Sequence, residues 1–333
     1  MRLRRWNWLR SRHGGWLALG LAALMGAQAQ AQWGSSHDQF HDKLMQLGAG
    51  PDGGSFGPIG NTLCDTLNEA RKTTLVRCVA LRSAGSVFNI YAVANGSLQL
   101  GFGQEDLIAE AFASSEAKGG NTLRTVALMH NSPIGIMVRK ASGITELSQI
   151  RKGIVNKGSK GSGIYANSTA LLNAMKLKES DLAGVTFMPP TEFEKAFCEG
   201  KVDVFINAIA HPSELYRRLR ACGGEFIDIS PDVMQKMQQD NAFLKPMDIS
   251  AGMYDLAQKQ VKTLGMRNLL ISNSTVDEEA IFRVTSLINS KHKDMQSKQP
   301  YMSSVVLMRR SDIDSLAAPL HPGALRALQA SKP

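Results

Sequence analysis

Three glycine-rich segments carry the residue types best suited to holding a small ligand. Gly48-Ala49-Gly50-Pro51-Asp52-Gly53 satisfies G-x-G-x-x-G after a short apolar run. In a dinucleotide fold the third glycine lies in a helix that starts at once, whereas Pro51 and Gly53-Gly54 prolong the loop. The segment reads better as a loop whose backbone N–H groups approach a small ligand. Gly158-Ser159-Lys160-Gly161-Ser162-Gly163 stands between a β-rich run and a helical one and lacks the Gly-Lys-Ser/Thr ending of a nucleotide P-loop. N–H groups exposed at a helix start, aided by the helix dipole, favour a carboxylate or other small anion, although a plain capped turn fits the same residues. Arg82-Ser83-Ala84-Gly85-Ser86-Val87-Phe88-Asn89 ends one strand and opens one helix. Its small residues permit close backbone approach, and Ser83, Ser86 and Asn89 supply donors. The structural alternative is a helix N-cap by Ser86.

The other reactive types offer little. His37 and His41 are spaced i,i+4 with no third metal ligand nearby, and His211-Pro212 and His321-Pro322 each precede a helix, where proline is a structural habit. There is no Gly-x-Ser-x-Gly nucleophile motif and no evident acid–base carboxylate pair. Neither a metal nor a cofactor is expected. Cys64, Cys78, Cys198 and Cys222 contain no C-x-x-C, and an even count in an exported chain favours disulfides. Four cysteines allow three pairings; the sequence-local one puts a bridge in each half.

Export itself is read from the N-terminus. Arg2 to Arg12 form a positive region, Trp16 to Met25 an apolar one, and Ala27-Gln28-Ala29-Gln30-Ala31 two overlapping cleavage sites. Residues 1–31 thus read as a signal peptide, cut after Ala29 or Ala31, on a periplasmic protein. The apolar stretch is short of the ~20 residues that span a bilayer. Of the net charge of +9, five cations lie in this segment, so the basic balance does not point to nucleic acid.

The elements that would position the loops alternate in type. Strands are expected at Leu44–Leu47, Leu75–Leu81 and Leu98–Phe102, with helices at Thr62–Arg71, Val87–Ala94 and Asp106–Ala113. A second series has strands at Gly153–Asn156, Val185–Met188, Val202–Ala208 and Phe226–Ile229. Its helices are Ser162–Met175, Glu192–Glu199, Ser213–Ala221 and Pro231–Asp240. Asp277–Ser290 is a further helix. This alternation predicts an α/β fold with mostly parallel sheets flanked by helices. Leu123–Val138 is long and extended; Pro133 argues against a central strand there and suits a connection between two lobes. Val261–Ser272 would return the chain.

In this order the motifs resemble the TAXI family of TRAP-transporter solute receptors, over roughly residues 44–328. The carriers are Gly48-Ala49-Gly50 with Gly57-Pro58-Ile59-Gly60, Arg77-Cys78, and Ala84-Gly85-Ser86-Val87-Phe88-Asn89-Ile90. Gly101-Phe102-Gly103-Gln104-Glu105-Asp106, Val138-Arg139-Lys140, Gly143-Ile144, Gly161-Ser162-Gly163 and Lys201-Val202-Asp203-Val204-Phe205 follow. His211-Pro212, Ala251-Gly252-Met253-Tyr254, Val261-Lys262-Thr263-Leu264-Gly265 and Leu320-His321-Pro322-Gly323-Ala324 complete the set.

The resemblance implies a two-lobe, type II-like periplasmic binding protein that closes on a small organic anion or amino acid and delivers it to a TRAP-type permease. Lobe I would be 32–138 with 263–333, and lobe II 139–262, joined by two hinge segments. It supports the Cys64–Cys78 and Cys198–Cys222 pairing. It implies ligand contacts at Gly57, Arg82, Ser83, Ser86, Asn89, Gln104, Ser162, Tyr165, Asn207, His211 and Tyr254, with a monomeric receptor. Two departures bear on specificity. Tyr165 stands where the family usually has an arginine, the natural bidentate partner of a carboxylate; Arg82 is expected to supply the missing cation. Glu105 replaces a common serine. A receptor serving a membrane sensor would use the same lobes, and a periplasmic enzyme would need cleft chemistry that the sequence does not show.

Overall fold

The chain leaves its first strand at a glycine-rich loop and its last at a capped helix, and between them strand and helix alternate almost throughout. The computed structural model describes residues 42–330 apart from 117–119, 121, 255–259, 300 and 303–304. The expected signal segment, His37 and His41 lie outside the described residues. The strands are β1 (Lys43–Gly50), β2 (Val76–Arg82), β3 (Leu100–Gln104), β4 (Leu123–Arg139), β5 (Ile154–Asn156), β6 (Gly184–Thr186), β7 (Val204–Ala208), β8 (Gly224–Ile227), β9 (Lys245–Ile249) and β10 (Val261–Asn273). The helices are α1 (Phe56–Glu69), α2 (Arg71–Thr74), α3 (Ser86–Ala94), α4 (Glu105–Glu116) and α5 (Gly163–Ala174). They continue with α6 (Pro190–Cys198), α7 (Glu214–Ala221), α8 (Pro231–Asp240), α9 (Glu278–Lys298) and α10 (Pro322–Ala330).

These strands form a mixed sheet in the order β2-β1-β3-β10-β4-β7-β5-β6, with β8 on β4 and β9 on β10. The short strands β1, β2, β3 and β5, β6, β7 pair in parallel, while β4 and β10 run antiparallel to their neighbours. Parallel pairing requires crossover helices, and the chain supplies them in each half.

Two long strands join those halves. β4 pairs with β10 from Leu123 to Pro133 and with β7 from Ile134 to Val138. It is therefore central, contrary to the reading that Pro133 would keep it out of the sheet. Pro133 opposes Gly265 at the seam where one partner gives way to the next, so its missing N–H falls where the ladder changes over. β10 similarly turns from β9 to β3.

The core follows this division. One apolar cluster packs Leu47, Leu63, Leu67, Phe102 and Met129 beneath Ile281, Val284 and Ile288 of α9. In the other half, Ile136, Val155, Leu171 and Ile206 form one cluster, and Phe193, Phe197, Phe205 and Tyr216 another. Phe193 and Phe205 stack with ring centroids 4.1 Å apart. Both sequence-local disulfides are present: Cys64–Cys78 ties α1 to β2, and Cys198–Cys222 ties the end of α6 to the end of α7. No helix among the described residues is long and apolar enough to cross a membrane.

Candidate functional site

Parallel strands deliver their carboxyl ends to one edge, and the loops that leave those ends meet there. β1 runs into Pro51 and Gly54-Ser55-Phe56 at the start of α1. β2 runs into Ala84-Gly85-Ser86 at the start of α3. β3 ends in Gln104. From the other half, β5 leads to Ser162-Gly163-Ile164 at the start of α5, β6 to Pro190 at the start of α6, and β7 to Asn207, Ala208 and Ile209. These residues line a cavity of about 50 Å³ between the two halves.

Four helix N-termini thus open onto one small space. The first N–H groups of a helix have no partner within it, and the aligned peptide dipoles give that end a partial positive charge. Local chemistry sets each terminus in place. Gly85, the residue before α3, has φ of +108°, a conformation that a residue with a Cβ rarely adopts. Ser162 caps α5, accepting from Tyr165 N at 3.1 Å and donating to Ser159 O at 2.6 Å. Ser55 precedes α1 and shares a hydrogen bond with His130 Nε2 at 3.3 Å. Burial lowers the pKa of His130 to about 3, so this ring is neutral.

Gln104 bridges the cavity. Only 3% of it is exposed, and its Oε1 has no hydrogen-bond partner among the described residues. Its amide lies against α5: a Cβ built on Gly163 would stand 2.8 Å from Nε2 and 2.9 Å from Oε1. Its backbone N donates to Ser86 Oγ at 3.3 Å. The next residue anchors the junction of β3 and α4. Glu105 is buried and takes a two-pronged ion pair from Arg267 of β10, at 2.5 and 2.6 Å, while Ala317 N donates to it at 3.3 Å. Among the described residues, no charged side chain lines the cavity.

The chain matches the NMT1-like family over residues 47–330. The chain belongs to the NMT1-like family. Solved structures with the same fold include malate-bound MatC from Rhodopseudomonas palustris, at 15% identity over 86% of this chain and 96% of that one, TM-score 0.54. The periplasmic binding protein BugD matches at 11% identity over 86% of this chain and 92% of that one, TM-score 0.54. At such identities the likeness is one of fold.

Of the residues singled out in the sequence, Ser86, Gln104, Ser162 and Asn207 come together at the cavity of this NMT1-like chain. The other seven do not line it, each for a visible reason. Arg82 is 66% exposed at its side chain and pairs with Asp52 at 2.8 Å, so it is not the cation expected inside the cleft. Ser83 turns back to accept from Gly85 N at 3.2 Å. Gly57 lies one residue beyond Phe56, in the first turn of α1. Asn89 is fully buried and donates to the carbonyls of Gly48 and Phe102, each at 2.9 Å, clamping β1 to β3. Tyr165 packs beside Phe187, with the Lys157 ammonium 4.6 Å from its ring centre; Lys157 is itself buried and paired with Glu179 at 2.6 Å.

His211 and Tyr254 form a separate packing unit. Tyr254 Oη accepts from Ser213 N at 2.7 Å and meets His211 Nδ1 at 2.6 Å, while the imidazole stacks on Tyr216. Burial lowers the His211 pKa to about 3, so this ring is neutral. Ser86, read as a possible N-cap, is instead the first residue of α3. The sequence reading missed Ser55, Phe56, Pro190 and Ile209. Their types carry no signal, and only the convergence of strand ends selects them.

Proposed function

We propose that this chain is an extracytoplasmic solute-binding protein that captures a small organic anion between its two halves, leaves it chemically unchanged and hands it to a membrane permease. The observation that carries this reading is the meeting of four helix N-termini at a cavity whose polar side chains are neutral. An anion there gains hydrogen bonds from both sides at once. Solute therefore favours the closed arrangement through its differential affinity for the two states. Lobe I would comprise residues 32–138 and 263–333, and lobe II 139–262, with β4 and β10 flexing at the crossings. The malate held by MatC belongs to the same chemical class of ligand.

The TAXI-like motif order suggests a TRAP-type permease as the receiving partner. The N-terminal pattern and the two disulfides fit a periplasmic location with residues 1–31 removed. Ser86, Gln104, Ser162 and Asn207 are the proposed contacts, with backbone N–H groups at the starts of α1, α3 and α5. The test is a thermal-shift screen of organic anions against their uncharged amides and alcohols. At least one anion should raise the midpoint while its uncharged analogue does not, and Gln104→Ala should reduce that rise. Stabilisation by neutral solutes alone would overturn the reading.

A further inference from the structure

We propose that the ligand is a 2-hydroxy carboxylate, and that the Gln104 side chain reads its hydroxyl and its carboxylate together. This rests on the reading above that the cavity holds a small organic anion. The observation that carries it is an orphaned acceptor. Gln104 Oε1 is buried at the cavity and has no hydrogen-bond partner among the described residues. Neither neighbouring serine serves it: Ser86 Oγ accepts from Gln104 N at 3.3 Å, and the Ser162 hydroxyl donates to Ser159 O at 2.6 Å. A buried acceptor left unmet costs free energy, so the solute that completes this site brings a donor. A carboxylate has acceptors alone. It can take the N–H groups at the helix starts, yet it offers Oε1 nothing, and the donor must be a second group on the ligand.

The place of the amide fixes where that donor lies. A Cβ on Gly163, the first residue of α5, would stand 2.8 Å from Gln104 Nε2 and 2.9 Å from Oε1, so the amide lies at a helix start that favours the carboxylate. A primary amide shows a donor and an acceptor side by side. Nε2 donates to a carboxylate oxygen, and Oε1 accepts from a donor on the adjacent carbon. The lining also selects hydroxyl over ammonium. Among the described residues no carboxylate lines the cavity, and helix N-termini place partial positive charge around it. The acids next to the lining in sequence are taken, Asp52 by Arg82 and Glu105 by Arg267. An ammonium group would enter that field with three donors, no counter-ion and one orphaned side-chain acceptor in the lining. A hydroxyl brings one donor and no charge.

The experiment is calorimetric titration of the purified protein at one ionic strength with two matched sets, lactate, propionate and alanine, then malate, succinate and aspartate, with lactamide as the uncharged control. In at least one set the hydroxy acid should bind more tightly than its deoxy and amino counterparts by roughly 10-fold or more. Gln104→Leu should bring the hydroxy and deoxy acids of that set to within about 3-fold of each other. A merely structural role for Gln104 would weaken both acids alike and keep the preference. A deoxy or amino acid binding as tightly as the hydroxy acid, or a preference undiminished in Gln104→Leu, would overturn this inference while leaving the anion reading intact. The wild-type titrations decide the hydroxyl preference even if that variant does not fold. Lactamide binding as well as lactate would overturn the anion reading itself. Binding by none of the six acids would overturn the inference, and the wider anion screen would then decide the reading beneath it.

Discussion

Gly163→Ala places one methyl group where the two halves press together. The added carbon would stand 2.8–2.9 Å from three atoms of the Gln104 amide. That is well inside normal contact distance, and the amide has to move. Gly163 is the first residue of α5 and does not have the left-handed backbone seen at Gly85, so alanine is acceptable to the fold. Replacing glycine at a compatible position stabilises by about 0.4–1 kcal/mol through the unfolded chain. The cost should thus fall on closure and binding. Overpacking costs about 1–3 kcal/mol, which corresponds to roughly 5- to 150-fold in Kd.

Calorimetry on a binding anion, paired with thermal unfolding of the free protein, separates the two effects. Affinity should drop while the unligated midpoint holds or rises. In a Gln104→Ala background, which itself binds more weakly, the same substitution should cause little further loss, because the group it strikes is gone. Wild-type affinity in Gly163→Ala, or an equal loss in both backgrounds, would refute the reasoning.

Other expectations concern stability. His130 and His211 have pKa values lowered to about 3, and Asp106 has one raised to about 6 by burial. The histidines contribute stability that is present above pH 6.5 and lost as pH falls towards 3. Asp106 contributes stability that is present below pH 4 and lost as pH rises through 6. Between pH 6 and 4 the unfolded chain holds two extra histidine protons and the native state one extra carboxyl proton. Stability should therefore rise with pH by at least about 1.4 kcal/mol per unit, since His292 and His321, also lowered by burial, act in the same direction. Urea unfolding across that range checks this, and a flat or falling profile would contradict it. Glu105→Gln should destabilise by about 2–3 kcal/mol, since it leaves Arg267 without its counter-ion; an unchanged urea midpoint would count against the role given to this pair. Replacing Cys64 and Cys78 together by serine should cost about 3 kcal/mol for a loop of this length, with a loss near zero arguing against that loop-closure account.

Much of this architecture could be read from periodicity, because helices such as α5 and α8 bury one face and the central strands are almost continuously apolar. β9 escaped notice because Lys245, Pro246 and Asp248 break both apolar alternation and β propensity; pairing with β10 compensates. The central position of β4 was hidden by Pro133, whose effect depends on which ladder position it occupies. At the site, the loops around Gly85 and Gly163 were legible because small residues there precede a helical pattern. The partners were not. Asn89 looks like a ligand donor by type, yet its amide belongs to carbonyls on two other strands. Arg82 is a free cation by type, and nothing in the local sequence shows that Asp52 takes it. Glu105 was visible only as a departure from a related pattern; its ion pair with Arg267 spans 162 residues of sequence.

The central claim, that backbone N–H groups from both halves hold one anion, is tested most directly by following amide resonances while a binding carboxylate is added. The account predicts saturable shifts, with one common affinity, at Phe56 and Ser86 from one half and at Gly163 and Ile164 from the other. Shifts confined to one half, or gathered at residues remote from the cavity, would contradict it.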